Sequence, residues 1–132
     1  MSRENEIKLR MAGPMAAREA VARIGAERHV PRHLEDNVLL DDERGSLRTS
    51  GCLLRVRRCD PQEAVLTYKG ARSVVQGVRT REEIESTVGD PTAVQAILAG
   101  IGLRPTFRYQ KYRETYVWQD LEIVVDETPV GT

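Results

Sequence analysis

The strongest constraint on this chain is an alternation of charge, because stretch after stretch places charged side chains at every second position with apolar ones between them. Successive strand residues point to opposite faces, so positions i, i+2 and i+4 share a side. Residues 3–11 carry Glu4, Glu6, Lys8 and Arg10 on one side and Ile7 and Leu9 on the other. Residues 52–60 set Arg55 and Arg57 against Leu54 and Val56, and residues 63–69 set Thr67 and Lys69 against Leu66 and Tyr68. Arg79, Arg81, Glu83 and Glu85 share a side within 78–88, opposite Ile84. Lys111 and Arg113 do so within 103–117. Glu122, Val124 and Asp126 do so within 119–127, opposite Leu121, Ile123 and Val125.

Two segments break this rhythm with helical signals. Pro14 suits a first helical turn, Met15, Ala16, Ala20, Val21 and Ile24 form an apolar stripe, and Gly25 can end it. Asp90 can cap a second helix with Pro91 at its first position, and Ala93, Ile97 and Leu98 supply the expected buried stripe before Gly100 and Gly102. Residues 27–42, with Val30, Val38, Leu39 and Leu40, read as a long irregular strand. Asp60-Pro61-Gln62 reads as a hairpin turn, and 70–77, bounded by Gly70 and Gly77, as a loop. The sum is about seven strands and two main helices, an antiparallel α+β chain rather than a parallel βαβ one. A single domain over 1–132 is expected, without repeats or an internal linker.

Hydrophobic residues make up 40% and charged residues 30% of the chain, a globular balance. No apolar run approaches a membrane span, and MSRENEIKLR lacks the apolar core of a signal peptide, so a cytoplasmic protein off the membrane is expected. Twenty Lys plus Arg balance twenty Asp plus Glu, which argues against a general nucleic-acid binder. Cys52 and Cys59, seven apart, would face opposite sides of one strand and cannot pair within it, so they read as reduced packing residues. His29 and His33 have the spacing of helical metal ligands, but Pro31 between them breaks such a helix.

One face on helices and one in water would produce the same alternation, and a single such strand means nothing. Two features argue for more. The charged sides lean on Arg and Glu, residues suited to geometric recognition of phosphate and of metal. If the strands curl into a barrel, moreover, that side becomes the interior, where mixed charges need a ligand or mutual pairing to offset desolvation. A phosphate-rich ligand with a divalent cation meets both signs at once: Arg and Lys hold the phosphate oxygens, and carboxylates hold Mg²⁺ or Mn²⁺. No GxxxxGK[ST] loop is present, so side chains rather than backbone amides would bind the phosphates.

At this point the residues resemble the CYTH superfamily, the triphosphate tunnel metalloenzymes. Glu4-Asn5-Glu6-Ile7-Lys8 is similar to the ExExK signature, Leu54-Arg55-Val56-Arg57 to the RxR strand and Leu66-Thr67-Tyr68-Lys69-Gly70 to the TxKG strand. Arg81-Glu82-Glu83-Ile84-Glu85 resembles the RxExE strand, Lys111-Tyr112-Arg113 the KxR pair, and Val124-Val125-Asp126-Glu127 the stretch with an acidic ligand. From Thr80 to Lys111 the chain is most similar to the class IV adenylyl cyclase, or CyaB-like, branch.

The resemblance implies an antiparallel barrel with a charged tunnel. Glu4 and Glu6 would be first-choice metal ligands, helped by Glu83, Glu85 and Asp126, with Glu4, Glu6 and Lys8 as the catalytic set. Lys8, Arg55, Arg57, Lys69, Arg81, Lys111 and Arg113 would hold the triphosphate. It implies Mg²⁺- or Mn²⁺-dependent cyclisation of ATP, or hydrolysis of thiamine triphosphate or inorganic tripolyphosphate. A non-catalytic nucleotide- or polyphosphate-binding module would keep the same clamps without turnover. Analogy with class IV cyclases is compatible with a homodimer. Two departures stand out: Asn37-Val38-Leu39-Leu40-Asp41 lacks the family's aromatic near the aspartate, and no closing strand with a further ExE pair follows Glu127. The sequence therefore reads as a truncated form that holds metal weakly.

Overall fold

The computed structural model describes residues 2–59, 63–129 and 131–132, with the backbone alone for 2–4. The turn expected at Asp60-Pro61-Gln62 lies outside the described residues. In chain order the elements are β1 (Ser2–Glu6), α1 (Pro14–Arg23), β2 (Glu27–Asp41), α2 (Ser46–Thr49), β3 (Leu53–Cys59) and β4 (Glu63–Lys69). They continue with β5 (Ser73–Val75), β6 (Val78–Thr87), α3 (Pro91–Gly100), β7 (Arg104–Trp118) and β8 (Leu121–Glu127). The strands pair in the order β1-β6-β4-β3-β2-β7-β8, with β5 added to β6. The paired registers of β1–β6, β3–β4, β4–β6, β5–β6 and β7–β8 are all antiparallel, as the hairpin-rich sequence implies.

Several expectations change. The first strand stops at Glu6 instead of running to 11, because its partner β6 begins at Val78 and the last pair is Glu6 with Arg79. Ile7 and Leu9 therefore gain no cover and are 68% and 75% exposed. Residues 27–41 form one continuous strand with Pro31 inside it. The expected loop at 70–77 contains β5, since Gln76 and Gly77 both take positive φ (52° and 80°) and close a tight hairpin between Val75 and Val78. The described residues thus contain eight strands, and α2 joins the two expected helices.

The chain divides into two compact units. The first comprises residues 1–8 and 36–109. Its apolar centre is Val56, Leu40 and Ala64, each at most 4% exposed. The Asp90 carboxylate caps α3 by accepting from the Ala93 N–H at 3.0 Å, as expected, but no residue of this helix is buried and Ile97 is 65% exposed. The stripe read from its sequence is real in spacing but uncovered.

The second unit comprises residues 9–35 and 110–132. α1 packs on the side of β7 and β8 that carries Tyr116, Ile123 and Val125, through Ala17 and Val21. Those two residues, not Met15 and Ile24, are the buried ones, because i and i+4 stack on one helix face. Burying Val21 in this way contributes about 2 kcal/mol. At the helix margin Arg18 donates to Glu114 at 3.1 Å and to Glu127 at 3.2 Å, tying α1 to both strands. Among the described residues no helix is long and apolar enough to cross a membrane.

Candidate anion and metal site

In the first unit the registers line the charged side chains into rows. Arg55 on β3 stands opposite Thr67 on β4, which stands opposite Glu85 on β6. One row along, Lys69 opposes Glu83, and Glu4 and Glu6 on β1 oppose Arg81 and Arg79. The charged sides inferred strand by strand therefore form one continuous face here. It is also a covered face: Asn37 and Thr67 are 0% exposed and Arg55 7%.

The polar groups of this face are not all satisfied by one another. Arg57 Nε donates to Asn37 Oδ1 at 2.8 Å, which fixes the amide with its Nδ2 on the other side. That Nδ2, the Arg55 Nε and the Thr67 hydroxyl are buried and have no hydrogen-bond partner among the described residues. An unpaired buried donor costs about 1–3 kcal/mol, so these three, two of them paired across β3 and β4, are candidates for a ligand. All three can donate, and an anion with several oxygens supplies what they lack.

Arg81 differs from the other cations assigned to substrate. Its Nε donates to Gly70 O at 2.9 Å and its Nη2 to Gly51 O at 3.3 Å, so much of the guanidinium ties down two loops. Gly70 allows this by close backbone approach: its own N–H reaches Glu82 O at 2.9 Å, and a Cβ there would lie 3.4 Å from Glu82 Cβ. Lys8 lies beyond the end of β1 and is exposed, so no strand pairing aims it at the face.

The carboxylates separate by what they already hold. Glu83 accepts an ion pair from Lys69 at 3.3 Å. Glu6 is half-buried and Glu85 exposed, and neither makes an ion pair with another described residue. The Glu4 side chain lies outside the described residues, although its backbone opposes Arg81. Register also limits sharing. Glu6 opposes Arg79, and Glu85 is six positions farther along β6, about 20 Å, so one ion cannot take both. Glu4 and Glu6 lie two positions apart on β1, and the Glu4 backbone opposes Arg81, two positions from Glu83 on β6. The fit to Mg²⁺ or Mn²⁺ in this unit therefore rests on the β1 pair, with Glu83 available if Lys69 turns to a phosphate.

The second unit carries its own charged group. Asp126 accepts from Arg113 Nε at 2.7 Å and Nη2 at 2.9 Å, a bidentate pair, and from Lys111 Nζ at 3.1 Å. Burial raises the Asp126 pKa, but Arg113 and then Lys111 outweigh it and hold the carboxyl at about 2. Burial also lowers Lys111, aided by neighbouring Arg113 and opposed by Asp126. Buried Glu35 on β2 approaches both cations at 3.9 Å and His33 at 3.7 Å. Both Asp126 oxygens face cations, an arrangement that suits a counter-ion better than a metal ligand. Glu35, Asn37 and the role of Thr67 were not singled out from sequence, although residues 33, 35 and 37 share the parity that would have flagged them.

On the opposite side of β7, Glu114 collects Arg18, Arg28 at 3.6 Å and the Tyr116 hydroxyl, and Arg32 lies 3.8 Å from the Tyr112 ring centre. Burial raises the Glu114 pKa, but those donors bring it below the usual carboxylate value. This network is satisfied within itself and braces α1. Cys52 and Cys59 form no disulfide among the described residues.

The comparisons with known proteins agree with this face. A family model described as the CYTH domain matches residues 2–131. A Methanocaldococcus jannaschii protein named "Putative adenylate cyclase" is 26% identical over 124 residues, which span 94% of this chain and 69% of that protein. A solved structure of a "putative adenylate cyclase" from Vibrio parahaemolyticus shares the fold, with a TM-score of 0.82 at 17% identity, over 96% of this chain and 69% of the other. A Hippeastrum "putative adenylyl cyclase", described as having a dominant triphosphatase activity, is 25% identical with a TM-score of 0.75, over 95% of this chain and 72% of its own. With the charged face and a family match over nearly its whole length, this chain belongs to the CYTH domain family.

Proposed function

We propose that this protein binds the triphosphate group of a small molecule on the face around Arg55 and cleaves a phosphoanhydride bond there with the help of Mg²⁺ or Mn²⁺. The observation that carries this reading is the trio of buried, unpartnered donors on Asn37, Arg55 and Thr67. Phosphate oxygens are acceptors only, so they satisfy all three without stranding a donor of their own. Arg57 and Lys69 extend the same face by one position along β3 and β4. Lys111 and Arg113 offer the same chemistry in the second unit, with Asp126 and Glu35 holding their charges in place.

Glu4 and Glu6 would hold the divalent ion, with Glu83 as a third oxygen donor. Such an ion neutralises charge on the phosphate oxygens as the bond breaks. The chain's own part is alignment and charge neutralisation, and phosphoryl transfer asks for little else from a protein. No histidine or serine nucleophile is needed.

The first form of the reading is cyclisation, in which a ribose 3′-hydroxyl attacks the α-phosphorus and pyrophosphate leaves. It is supported by the relatives named as adenylate cyclases. The second form is hydrolysis by water at the terminal phosphorus, favoured by the triphosphatase activity described for the Hippeastrum protein. Both use one set of clamps. The deciding experiment incubates the protein with Mg²⁺ or Mn²⁺ and, separately, tripolyphosphate, thiamine triphosphate and ATP, then separates phosphate, pyrophosphate and cyclic nucleotide. Phosphate from any of the three supports hydrolysis, and cyclic nucleotide with pyrophosphate from ATP supports cyclisation. Binding without turnover would leave a sensor, and neither binding nor turnover would overturn the reading.

A further inference from the structure

We infer that the Asp126 carboxylate fills the anion seat formed by Lys111 and Arg113, as an internal occupant that a phosphate group must displace, and so limits how tightly the second unit takes its substrate. This rests on the reading of Lys111 and Arg113 as phosphate holders, and it adds how access to them is controlled.

The seat consists of donors that Asp126 already engages. Arg113 stands directly opposite Asp126 in the β7–β8 register, and Lys111, two residues earlier, shares its side of the strand. Asp126 Oδ1 accepts from Arg113 Nε at 2.7 Å, and Oδ2 accepts from Arg113 Nη2 at 2.9 Å and from Lys111 Nζ at 3.1 Å. Two oxygens along one edge of a guanidinium, with an ammonium beside them, also suit a phosphoryl group. Carboxylate and phosphate thus compete for the same three donors, and the hydrogen bonds are exchanged like for like.

The other acid of the cluster is built differently. Glu35 lies 3.9 Å from Lys111 and from Arg113, too far for a hydrogen bond to either, and 3.7 Å from His33. Its side chain is 3% exposed, against 26% for Asp126 and 12% and 20% for the two cations. Glu35 is therefore the enclosed counter-charge and Asp126 the one that water reaches. A ligand arriving from solvent meets Asp126, which regains water when it is released, while Glu35 keeps the cations partly balanced. Glu122, on the same side of β8 as Asp126, acts on Arg113 more weakly.

The occupant is a strong one. Arg113 and Lys111 bring the Asp126 carboxyl from 3.8 to about 2 against the effect of burial. A pairing of that strength keeps the seat closed for all but a small fraction of the time, and apparent affinity for a competing anion falls by that fraction, on the order of tenfold to a hundredfold.

The test is calorimetry of tripolyphosphate, with metal chelated, on the unaltered protein, Asp126→Asn and Glu35→Gln. Both substitutions remove one negative charge beside the same two cations, so a change of field alone would move both alike. Asp126→Asn should tighten binding by at least about tenfold and Glu35→Gln by less than about threefold. Because Asp126→Asn also loses stability, the unaltered protein carries a second measurement. Its Asp126 carboxyl-carbon NMR resonance should move towards that of a solvated aspartate as tripolyphosphate saturates the protein. If tripolyphosphate binds none of the folded proteins, the clamp reading itself fails and the inference falls with it. If tripolyphosphate binds but both substitutions tighten it equally, or Asp126→Asn does not tighten it, or the Asp126 resonance stays in place, the clamp stands and the inference is overturned.

Discussion

Replacing Asp126 by Asn separates a counter-ion from a metal ligand. In the folded chain this carboxylate holds Arg113 at 2.7 and 2.9 Å and Lys111 at 3.1 Å, and its pKa is brought from 3.8 to about 2. A shift of that size corresponds to about 2 kcal/mol of stability. Because the folded value lies below the unfolded one, the contribution is whole above about pH 4 and is lost as the pH falls towards 2. Asn keeps the shape but not the charge, and it leaves two part-buried cations with Glu35, at 3.9 Å from each, and the weaker influence of Glu122 on Arg113. The variant should therefore be less stable by roughly 2–4 kcal/mol at pH 7, and the gap should shrink below about 1 kcal/mol near pH 2. Urea unfolding followed by Trp118 fluorescence is the assay, since the single tryptophan closes the β7–β8 hairpin that carries the cluster. Metal should be chelated throughout. A gap under about 0.5 kcal/mol at pH 7, or one that stays constant from pH 7 to 2, would refute the counter-ion reasoning. It would return Asp126 to the list of candidate metal ligands.

Further outcomes follow from the first unit. Thr67→Val removes a buried hydroxyl without a partner, so the metal-free protein should gain up to about 1 kcal/mol in denaturant unfolding while tripolyphosphate affinity falls in calorimetry. Loss of stability with unchanged affinity would contradict the orphan-donor argument. Glu6→Gln should abolish metal-dependent turnover with the circular dichroism spectrum unchanged, since Gln keeps the size but not the charge a hard cation needs; wild-type activity across a metal titration would remove Glu6 from the ligand set. Arg57→Lys keeps the charge but loses the planar fork that reaches Asn37, and it should weaken tripolyphosphate about tenfold, with unchanged affinity counting against a clamp role. Asp90→Ala should cost about 1 kcal/mol through loss of the α3 cap and leave ligand affinity alone.

The sequence by itself determined the parity of almost every strand. Arg55 with Arg57, Thr67 with Lys69, and Lys111 with Arg113 share sides because alternation is a property of the extended backbone, and it needs no knowledge of neighbours. The caps were equally local: Pro14 opens α1 and Asp90 caps α3, each through contacts within one turn. The motif order also sufficed to identify the family.

What the tertiary structure decided were the matters set by partners distant in sequence. β1 ends at Glu6 because β6 begins at Val78, and nothing in residues 3–11 records where β6 begins. Lys8 lost its strand position for that reason. The resemblance gives Arg81 to the triphosphate, but the carbonyls of Gly70 and Gly51, 11 and 30 residues away, take two of its donors. Asp126 and Glu83 were read as open oxygens, and they meet Arg113 and Lys69 across a strand pairing. Asn37 was passed over, yet the bond from Arg57 turns it into part of the clamp. Ile97 was placed in a core that does not cover it. Alternation tells which way a side chain points. Whether it meets water, a counter-charge or an unfilled space depends on the strand beside it, and the pairing of the whole sheet settles that.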